Sequence, residues 1–335
     1  MPEMRIQMVR LHPKPYAEPI PAGRAIRGLP LEDCYSFHKG SLAEKWWRQC
    51  APGDSFQKVH PKKHWFNQDK ASPHKPFSTL TKVVFVNGGA GTTHWQTPGQ
   101  LSIAMCKRAQ TLPDDFILRG TFQEQWARIG NSVPPMLMKS IAGHIKKVLL
   151  GGKESPTVIS TFAGCGGSSL GYHWAGFQEL LAVEWDDHAV ATFQENFPGV
   201  PVYHGDIGAL SVEECLTLAG IGPGELDVFD GSPPCQGFSQ AGKRNHDDPR
   251  NQLFEEFVRL LAGIQPRVFV MENVAGLVRG HMKQVFLEIM ASLRGTGYHV
   301  EAQVLNAKYY EVPQCRKRVI FVGVREDIYG GLTDA

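Results

Sequence analysis

The sequence predicts an α/β protein with a doubly wound, mostly parallel sheet and a second, smaller domain. Its length of 335 residues, with 42% hydrophobic and 20% charged residues, suits one large or two unequal globular domains. Beyond residue 155, β-rich segments alternate with helical ones, which is the pattern of a parallel sheet covered by helices on both faces. Residues 1–98 have a different composition, and this change indicates the second domain.

The chain divides into three parts by composition and periodicity. Residues 1–98 are rich in Pro, His, Lys and Trp and in turn clusters, so we expect a loop-rich, basic small domain. Residues 99–150 show helical spacing in LSIAMCKRAQTL and in MLMKSIAGHIKKVLL, a helix introduced by a Pro-Pro pair. GGKES at 151–155 has the composition of a flexible joint, and residues 151–335 form the sheet domain.

The net charge of +2 conceals an uneven distribution. Residues 1–98 contain 14 Lys and Arg against 7 Asp and Glu, whereas residues 99–335 contain 21 against 26. A basic module beside an acidic one indicates a polyanionic partner for the first segment, although a well-solvated surface would show the same charges.

The sequence contains no apolar run of about 18 residues and no apolar signal-peptide core, so we expect a cytoplasmic protein that uses no membrane. Its seven cysteines include no CxxC pair, which argues against a disulfide framework and a four-cysteine zinc site. Any functional cysteine is therefore expected to act alone.

Seven β-rich segments follow the joint, in the order TVISTFAG, LLAVEWD, VPVYHGD, LDVFDGSP, RVFVMENV, YHVEAQVLNA and RVIFVGVR. In a doubly wound sheet, ligands bind at the carboxyl ends of the strands. The functional residues are therefore expected where these segments end.

The first three of these segments end in residues suited to a nucleoside-like ligand. The glycine-rich loop at 162–167 lets the backbone approach such a ligand at a helix N-terminus. Glu184 follows at about the ~20-residue offset of a ribose-binding acid, and Trp185 beside it can stack on adenine. Asp206 ends the third segment and can receive the adenine amino group. Alternatively, Glu184 and Asp206 cap helices.

The fourth segment leads into Pro233 and Pro234, which restrict the backbone just before Cys235. An isolated cysteine usually fills a core, but a rigid loop at a strand end suits a nucleophile. Glu272 ends the fifth segment after a largely apolar run, where partial desolvation favours protonation, and Asn273 follows it.

The segment QCRKR precedes the last strand. The period of two places Gln314, Arg316 and Arg318 on one face. Arginines there can bind phosphate, a carboxylate or a base carbonyl, while a solvated edge strand is the alternative.

FAGCGG, GSPPCQGFS, ENV and QCRKR, in this order, resemble the motifs of the DNA (cytosine-5) methyltransferases over residues 100–325. The resemblance implies a Rossmann-like sheet that binds S-adenosyl-L-methionine, beside a recognition domain. It implies cofactor contacts from Phe162, Gly164, Gly166, Glu184, Trp185, Asp206, Ile207, Asn131 and Ser132.

The resemblance also implies a substrate and a mechanism. A cytosine is flipped out of double-stranded DNA, Cys235 adds to its C6, and the activated C5 takes the methyl group from the sulfonium of the cofactor. Loss of the C5 proton then breaks the bond between C6 and Cys235 and releases the enzyme. Glu272 would bind N3 and the exocyclic amine, Arg318 would bind O2, and Arg316 would help to position the base and Cys235. Residues 240–254 resemble the family's mobile loop that closes over DNA.

Two features depart from the family. The GNSVP motif (130–134) and its helix usually follow the other motifs but here precede the cofactor strand, which indicates a circular permutation with the break after VIFVGVR. In PGQLSIAMCKRAQTLPDDF, Ala104 and Met105 replace the customary Arg-Glu pair, which helps to organise the recognition domain. This change bears on the orientation or rigidity of residues 24–98.

The basic segment contains the expected recognition region. Its basic residues Arg48, Lys58, Lys62 and Lys63 suit contact with phosphates. Its tryptophans Trp46, Trp47 and Trp65 suit either packing in a core or contact with nucleic acid. HPKKH at 60–64 lacks further ligands, so we expect no metal site.

The sequence therefore predicts a monomeric DNA (cytosine-5) methyltransferase of restriction-modification or phage type, with a partner subunit left open. One alternative is a tRNA cytosine-5 methyltransferase with the same core. Another is a non-catalytic protein that binds the cofactor and has a DNA-binding or regulatory role. The presence of Ala104 and Met105 favours this second alternative. Retention of Cys235, Glu272 and the two arginines argues against that second alternative.

Overall fold

The computed structural model describes residues 9–65, 67–234 and 249–333. Its strands are β1 (Tyr35–Ser36), β2 (Asn67–Lys70), β3 (Ala90–Thr93), β4 (Gly99–Gln100), β5 (Thr157–Thr161), β6 (Gln178–Glu184), β7 (Val202–His204), β8 (Val228–Gly231), β9 (Val268–Val274), β10 (Tyr298–Asn306) and β11 (Lys317–Arg325). Its α-helices are α1 (Ala22–Ala25), α2 (Leu42–Gln49), α3 (Ile103–Gln110), α4 (Phe122–Asn131), α5 (Pro135–His144), α6 (Gly167–Trp174), α7 (Asp187–Asn196), α8 (Val212–Ala219), α9 (Pro249–Ile264), α10 (Lys283–Arg294) and α11 (Glu326–Thr333).

The large sheet has seven strands in the order β10-β11-β9-β8-β5-β6-β7. Strands β5 to β9 run parallel, and β11 pairs antiparallel with both β9 and β10. Each of the seven β-rich segments forms one of these strands, so the predicted doubly wound sheet is confirmed. The strand order reverses at β5, where such sheets bind their ligands.

Helices cover both faces of the large sheet because its strands are apolar on both sides. Val228 and Phe229 are neighbours in β8 but lie in different hydrophobic clusters, as the period of two requires. The cluster containing Phe229 includes residues of α8, α9 and α10. The cluster containing Val228 includes residues of α5, α6 and α11. The parallel strands are thereby buried, which is the usual condition for a parallel sheet.

Helix α5 packs closely on α6, which follows the first strand of the large sheet. A Cβ atom added at Gly171 of α6 would lie 2.6 Å from the Met138 Cβ and 2.7 Å from the Pro135 carbonyl oxygen of α5. Only glycine allows this approach of the two helices. The helix before the joint therefore completes the same face as the helix after β5.

The joint between these two parts is a turn with defined contacts. Residues Gly151 and Gly152 have φ angles of 61° and 80°, the left-handed region that glycine tolerates. Lys153 then forms a 2.6 Å ion pair with the buried Asp227, which also accepts a hydrogen bond from the Thr157 N–H. The segment is thus anchored to the sheet, although its composition predicts a flexible joint.

The small domain contains a four-stranded sheet in the order β1-β4-β3-β2. This sheet reaches Gln100, two residues beyond the division expected at residue 98, because β4 pairs with Tyr35 and Ser36 of β1. Trp46 and Trp47 of α2 are buried with Phe56 in the domain's own hydrophobic cluster. These two tryptophans therefore belong to a core, which is one of the two roles that the sequence allows.

The first described residues lie on the large domain and not on the small one. Leu11 is fully buried in the cluster that covers one face of the large sheet. The Tyr310 hydroxyl donates to the Pro13 carbonyl, and the Ala17 N–H donates to the Tyr309 carbonyl. Residues 9–17 thus join the fold of the large domain, because Leu11 and Pro13 are buried there and Ala17 is bonded to its backbone.

We expect Gly171→Ala to lower the free energy of unfolding by about 1–3 kcal/mol, because the added methyl group overpacks the contact between α5 and α6. The matched control is Gly143→Ala in α5, where an added Cβ meets no atom within 4 Å. That change should raise the free energy of unfolding by up to about 1 kcal/mol through helix propensity. Urea unfolding of both variants measures the difference, and equal shifts of one sign would contradict the proposed close packing.

Candidate active site at the carboxyl edge of the large sheet

The loop after β5 turns sharply before α6 begins. Phe162, Gly164 and Gly166 have φ angles of 54°, 58° and 88°. A non-glycine residue in this region costs of order 1–3 kcal/mol and is found where function constrains the backbone. Hydrogen bonds from the Ala163 N–H to the Val183 carbonyl, and from the Gly166 N–H to the Ala163 carbonyl, hold the loop in this shape.

Glu184 ends β6 directly beside this loop and is buried. One carboxylate oxygen accepts the Gly164 N–H at 2.7 Å, and the other accepts the Trp185 and Asp186 N–H groups at 2.9 and 3.0 Å. The N-cap of α7 is Asp186, whose carboxylate accepts the Ala189 N–H. The role of a helix cap is thus filled by Asp186 and not by Glu184.

Of three further candidate residues near this edge, two are exposed to solvent and one is buried. The Trp185 side chain is 75% exposed, so its ring is free to stack on a ligand. Asp206 is exposed after β7 and accepts a local hydrogen bond from the Gly208 N–H at 2.9 Å. Ile207 is buried in the hydrophobic cluster of the sheet. The structure thus separates the side chain of Ile207 from the exposed edge.

Residues from before the joint reach the same edge. Asn131 is exposed at the end of α4, and Ser132 is buried next to it. A Cβ atom added at Gly167 would lie 2.9 Å from the Ser132 Cβ and would collide with the Val133 carbonyl. Asn131 and Ser132 are therefore brought beside the glycine-rich loop by the fold, although about thirty residues separate the two segments in the chain.

An ion pair lies at the ends of β9 and β11. The Arg318 Nε atom donates to a Glu272 carboxylate oxygen at 2.6 Å, and the two side chains are 13% and 11% exposed. The antiparallel register places Arg318 opposite Val274, two residues from Glu272. Such a shielded pair keeps a carboxyl group and a guanidinium next to each other at the carboxyl end of β9.

Asn273 connects this end of β9 to the segment after β8. Its side-chain amide donates to the Pro233 carbonyl at 3.0 Å, and its oxygen accepts the Val274 N–H at 2.8 Å. Asn273 thereby fixes the backbone two residues before Cys235. Cys235 itself lies outside the described residues, as does most of the segment 240–254 that resembles a mobile loop.

Arg316 lies between the two domains. Its side chain is 1% exposed and donates to the Leu80 carbonyl at 3.0 Å and to the Gly130 carbonyl at 2.8 Å. Burial, together with repulsion from Arg318, lowers the pKa of the Arg316 guanidinium to about 9. Gln314 is also buried there. Of the three residues predicted to share one face, only Arg318 lies within β11.

The structure reveals a buried polar group that the sequence analysis missed. Burial raises the pKa of the Asp230 carboxyl in β8 to about 8, and this carboxyl accepts a hydrogen bond from the Tyr172 hydroxyl at 3.2 Å. Burial also raises the pKa of Glu179 in β6 to about 7, and Ser169 donates to it at 2.8 Å. The only sequence signal was an acid inside each of two apolar strands.

The small domain presents basic residues to solvent. Arg48 and Lys58 are exposed and pair with Glu44 and Asp54 one helical turn earlier, each at 2.6 Å. Lys62 and Lys63 are exposed as well, in the turn that also contains His60 and His64.

The rings of His60 and His64 stack 5.4 Å apart. Across residues 9–65, 67–234 and 249–333, no three His, Cys, Asp or Glu side chains are grouped so that they could hold a metal ion. In the same part of the chain, no helix combines the length and apolarity needed to cross a bilayer.

The seven-stranded, doubly wound sheet is the fold of a Rossmann-like methyltransferase domain. The sequence pattern of the C-5 cytosine-specific DNA methylase family matches residues 36–147 and 156–330, so the chain belongs to this family. The two matched ranges include both domains and are separated at the joint. This membership confirms the family resemblance of the motifs.

Curated relatives are similar over about half of this chain. Type II methyltransferase M1.HphI of Haemophilus parahaemolyticus is 45% identical over 175 residues, which cover 51% of this chain and 46% of the relative. Type II methyltransferase M.XorII of Xanthomonas oryzae is 41% identical over 175 residues, covering 52% and 41%. Type II methyltransferase M.AquIA of Picosynechococcus is 41% identical over 177 residues, covering 50% and 71%. The chain thus spans less than half the length of the first two.

We expect the wild-type protein to lose stability relative to Asp230→Asn as the pH rises from 6 to 8. The unfolded carboxyl titrates near pH ~4, whereas the folded one titrates near 8, so the folded state binds more protons in this window. One such proton corresponds to about 1.4 kcal/mol per pH unit at most. Urea unfolding at both pH values measures the slope. Glu213→Gln, an exposed change, should keep the wild-type slope, and parallel slopes for Asp230→Asn and wild type would contradict the burial effect.

Proposed function

We propose that this protein methylates the C5 carbon of a flipped-out cytosine within a specific double-stranded DNA sequence, using S-adenosyl-L-methionine. The observation that carries the proposal is the convergence of two sites at one edge of the sheet. The shielded Glu272–Arg318 pair and the Asn273-bound Pro233 lie at the ends of β8, β9 and β11. The glycine-rich loop and Glu184 lie at the ends of the neighbouring β5 and β6.

The residues at the ends of β5, β6 and β7 suit S-adenosyl-L-methionine. A Cβ atom added at Gly164 would meet no atom within 4 Å, so the loop backbone faces open space that a ligand could fill. Glu184 is the proposed acceptor of the ribose hydroxyls, and Trp185 offers an exposed ring for adenine. Asp206 and Asn131 add exposed polar groups. When bound, S-adenosyl-L-methionine supplies an electrophilic methyl group.

The residues at the ends of β8, β9 and β11 suit a cytosine. The C5 carbon becomes nucleophilic when a thiolate adds to C6, and Cys235 is the proposed thiolate, held on the segment that Asn273 fixes. Glu272 would donate to or accept from N3 and the exocyclic amine, and Arg318 would bind O2. Extruding the base costs roughly a few kcal/mol, which contacts in such a pocket repay.

The small domain supports DNA as the substrate. Arg48, Lys58, Lys62 and Lys63 are exposed on it and suit contact with phosphates, which position a protein on a duplex. The names of the relatives, type II methyltransferases, favour a restriction-modification setting. A monomer and a cytoplasmic location remain predictions for this chain.

We also propose that the motif order arose by circular permutation. Helix α5 packs on α6 through Gly171, and Ser132 touches the glycine-rich loop at Gly167. Both contacts are set by the fold and not by the chain order, so a break and a new joint between these parts leave the site unchanged.

The first test measures transfer of labelled methyl from S-adenosyl-L-methionine to mixed-sequence duplex DNA and to tRNA, with the modified base identified. We expect 5-methylcytosine in DNA for the wild type and none for Cys235→Ala, because the variant cannot add to C6. Cys215→Ala, at a buried position of α8, is the matched control and should retain activity. Label in tRNA alone would support the tRNA enzyme, and no label from a folded, cofactor-binding wild type would support a non-catalytic role.

We expect Glu272→Gln to lower kcat by about 10²- to 10⁴-fold, because the amide cannot exchange a proton with N3 of the base. The affinity for S-adenosyl-L-methionine should change little, since Glu184 and not Glu272 adjoins the cofactor loop. Glu288→Gln, on the exposed surface of α10, serves as the control. Steady-state methyl transfer and calorimetric cofactor binding give both quantities, and an unchanged kcat would remove Glu272 from the mechanism.

A further inference from the structure

One segment of the small domain runs between the two domains with its backbone bonded to the large one. We call residues 77–81 the strut. The Phe77 N–H donates to the Pro313 carbonyl at 2.8 Å, and the Cys315 N–H donates to the Phe77 carbonyl at 2.7 Å. The Thr79 hydroxyl donates to the Cys315 carbonyl at 2.9 Å. The strut is therefore attached to the chain that leads into β11.

Gln314 and Arg316 hold both backbone groups of Leu80 in the strut. The Leu80 N–H donates to the Gln314 side-chain oxygen at 3.0 Å, and the Leu80 carbonyl accepts from Arg316 at 3.0 Å. Both side chains are buried, so these bonds form away from water and would be costly to break.

The same two side chains reach the segment that is proposed to bind the cofactor. Arg316 donates with its second terminal nitrogen to the Gly130 carbonyl, directly before Asn131. Gln314 donates to the side-chain oxygen of Gln110 at 2.7 Å, and Gln110 donates to the Ser132 carbonyl at 2.6 Å. Two chains of hydrogen bonds thus connect the strut to residues 130–132.

Helix α4 also contacts the strut directly. The Trp126 indole N–H donates to the Thr81 carbonyl at 2.9 Å. A Cβ atom added at Gly130 would collide with that same carbonyl. Since α4 ends in Asn131, a displacement of the strut displaces the end of this helix too.

Met105 shows why these polar links matter in this chain. It is fully buried among apolar side chains of both domains, 3.8 Å from the Cys34 sulfur. An apolar contact of this kind has no direction, whereas the bonds of Arg316 and Gln314 specify one arrangement. The bonds of Arg316 and Gln314 therefore add a defined direction to the apolar contact between the two domains.

We propose that Arg316, Gln314 and the strut couple the recognition domain to the cofactor segment, so that cofactor binding and the placement of the small domain stabilise each other. Arg316 is then a positioning residue that acts through Leu80 and Gly130 and does not hold the base. The proposal rests on the proposed function, because it takes S-adenosyl-L-methionine as the ligand of residues 131 and 132. Coupling of this kind is reciprocal by thermodynamic necessity.

The test is hydrogen exchange of the strut amides with and without S-adenosyl-L-methionine, with no DNA present. In the wild type, we expect the cofactor to slow exchange of residues 77–81 by at least about fivefold, the lower range of such couplings. Arg316→Met should reduce this effect, because it removes the link from Leu80 to Gly130 and leaves the link through Gln314 and Gln110. Trp126→Phe, which removes the hydrogen bond to Thr81 and keeps a smaller aromatic ring in the core, should also reduce it. Arg325→Met, at the other end of β11, should leave it unchanged.

Calorimetric binding of S-adenosyl-L-methionine to each variant separates the outcomes. A wild type that binds the cofactor without slower exchange in the strut would overturn the coupling and leave the proposed function intact. Slowing of the same size as in the wild type, in folded Arg316→Met and in Trp126→Phe, would also overturn it. A wild type that binds no cofactor would overturn the proposed function and the coupling together.

Discussion

The parallel pairing of β5 with both β6 and β8 is the constraint on which the site depends. Parallel strands end at one edge, so the glycine-rich loop, Glu184 and the segment leading to Cys235 must emerge side by side. The strand order reverses at β5, which is where doubly wound sheets bind their ligands. β9 and β11 extend this edge, and their pairing brings Glu272 and Arg318 together.

Close packing of helices brings the segment before the joint to this edge of the sheet. Glycines at 167 and 171 let α5 and the segment before it lie against α6, which brings Ser132 to the glycine-rich loop. Stability requires that these surfaces pack closely against each other, whatever the order of the segments in the chain. A permuted chain with an anchored joint can form this packing as well as an unpermuted chain can.

Buried polar groups give the molecule its specific arrangement at a cost in stability. Arg316 and Asp230 are buried at the domain interface and inside the sheet domain, respectively, and each needs hydrogen-bond partners to be tolerated there. Arg316 finds two backbone carbonyls, and Asp230 finds Tyr172 and is held protonated more readily than an exposed acid. Such groups disfavour alternative packings, since any shift leaves them unpaired.

The sequence by itself determined the seven strands, their buried faces and the residues at their ends, because strand periodicity and strand-end motifs are local signals. Glu184 and Glu272 could be found in this way. Only the tertiary structure decided that Trp46 and Trp47 are core residues, that residues 9–17 join the large domain, and that Arg316 bonds Leu80 and Gly130. Arg316 lies 236 and 186 residues from these two partners, and no local pattern encodes a contact between backbone carbonyls and a side chain so distant in the chain.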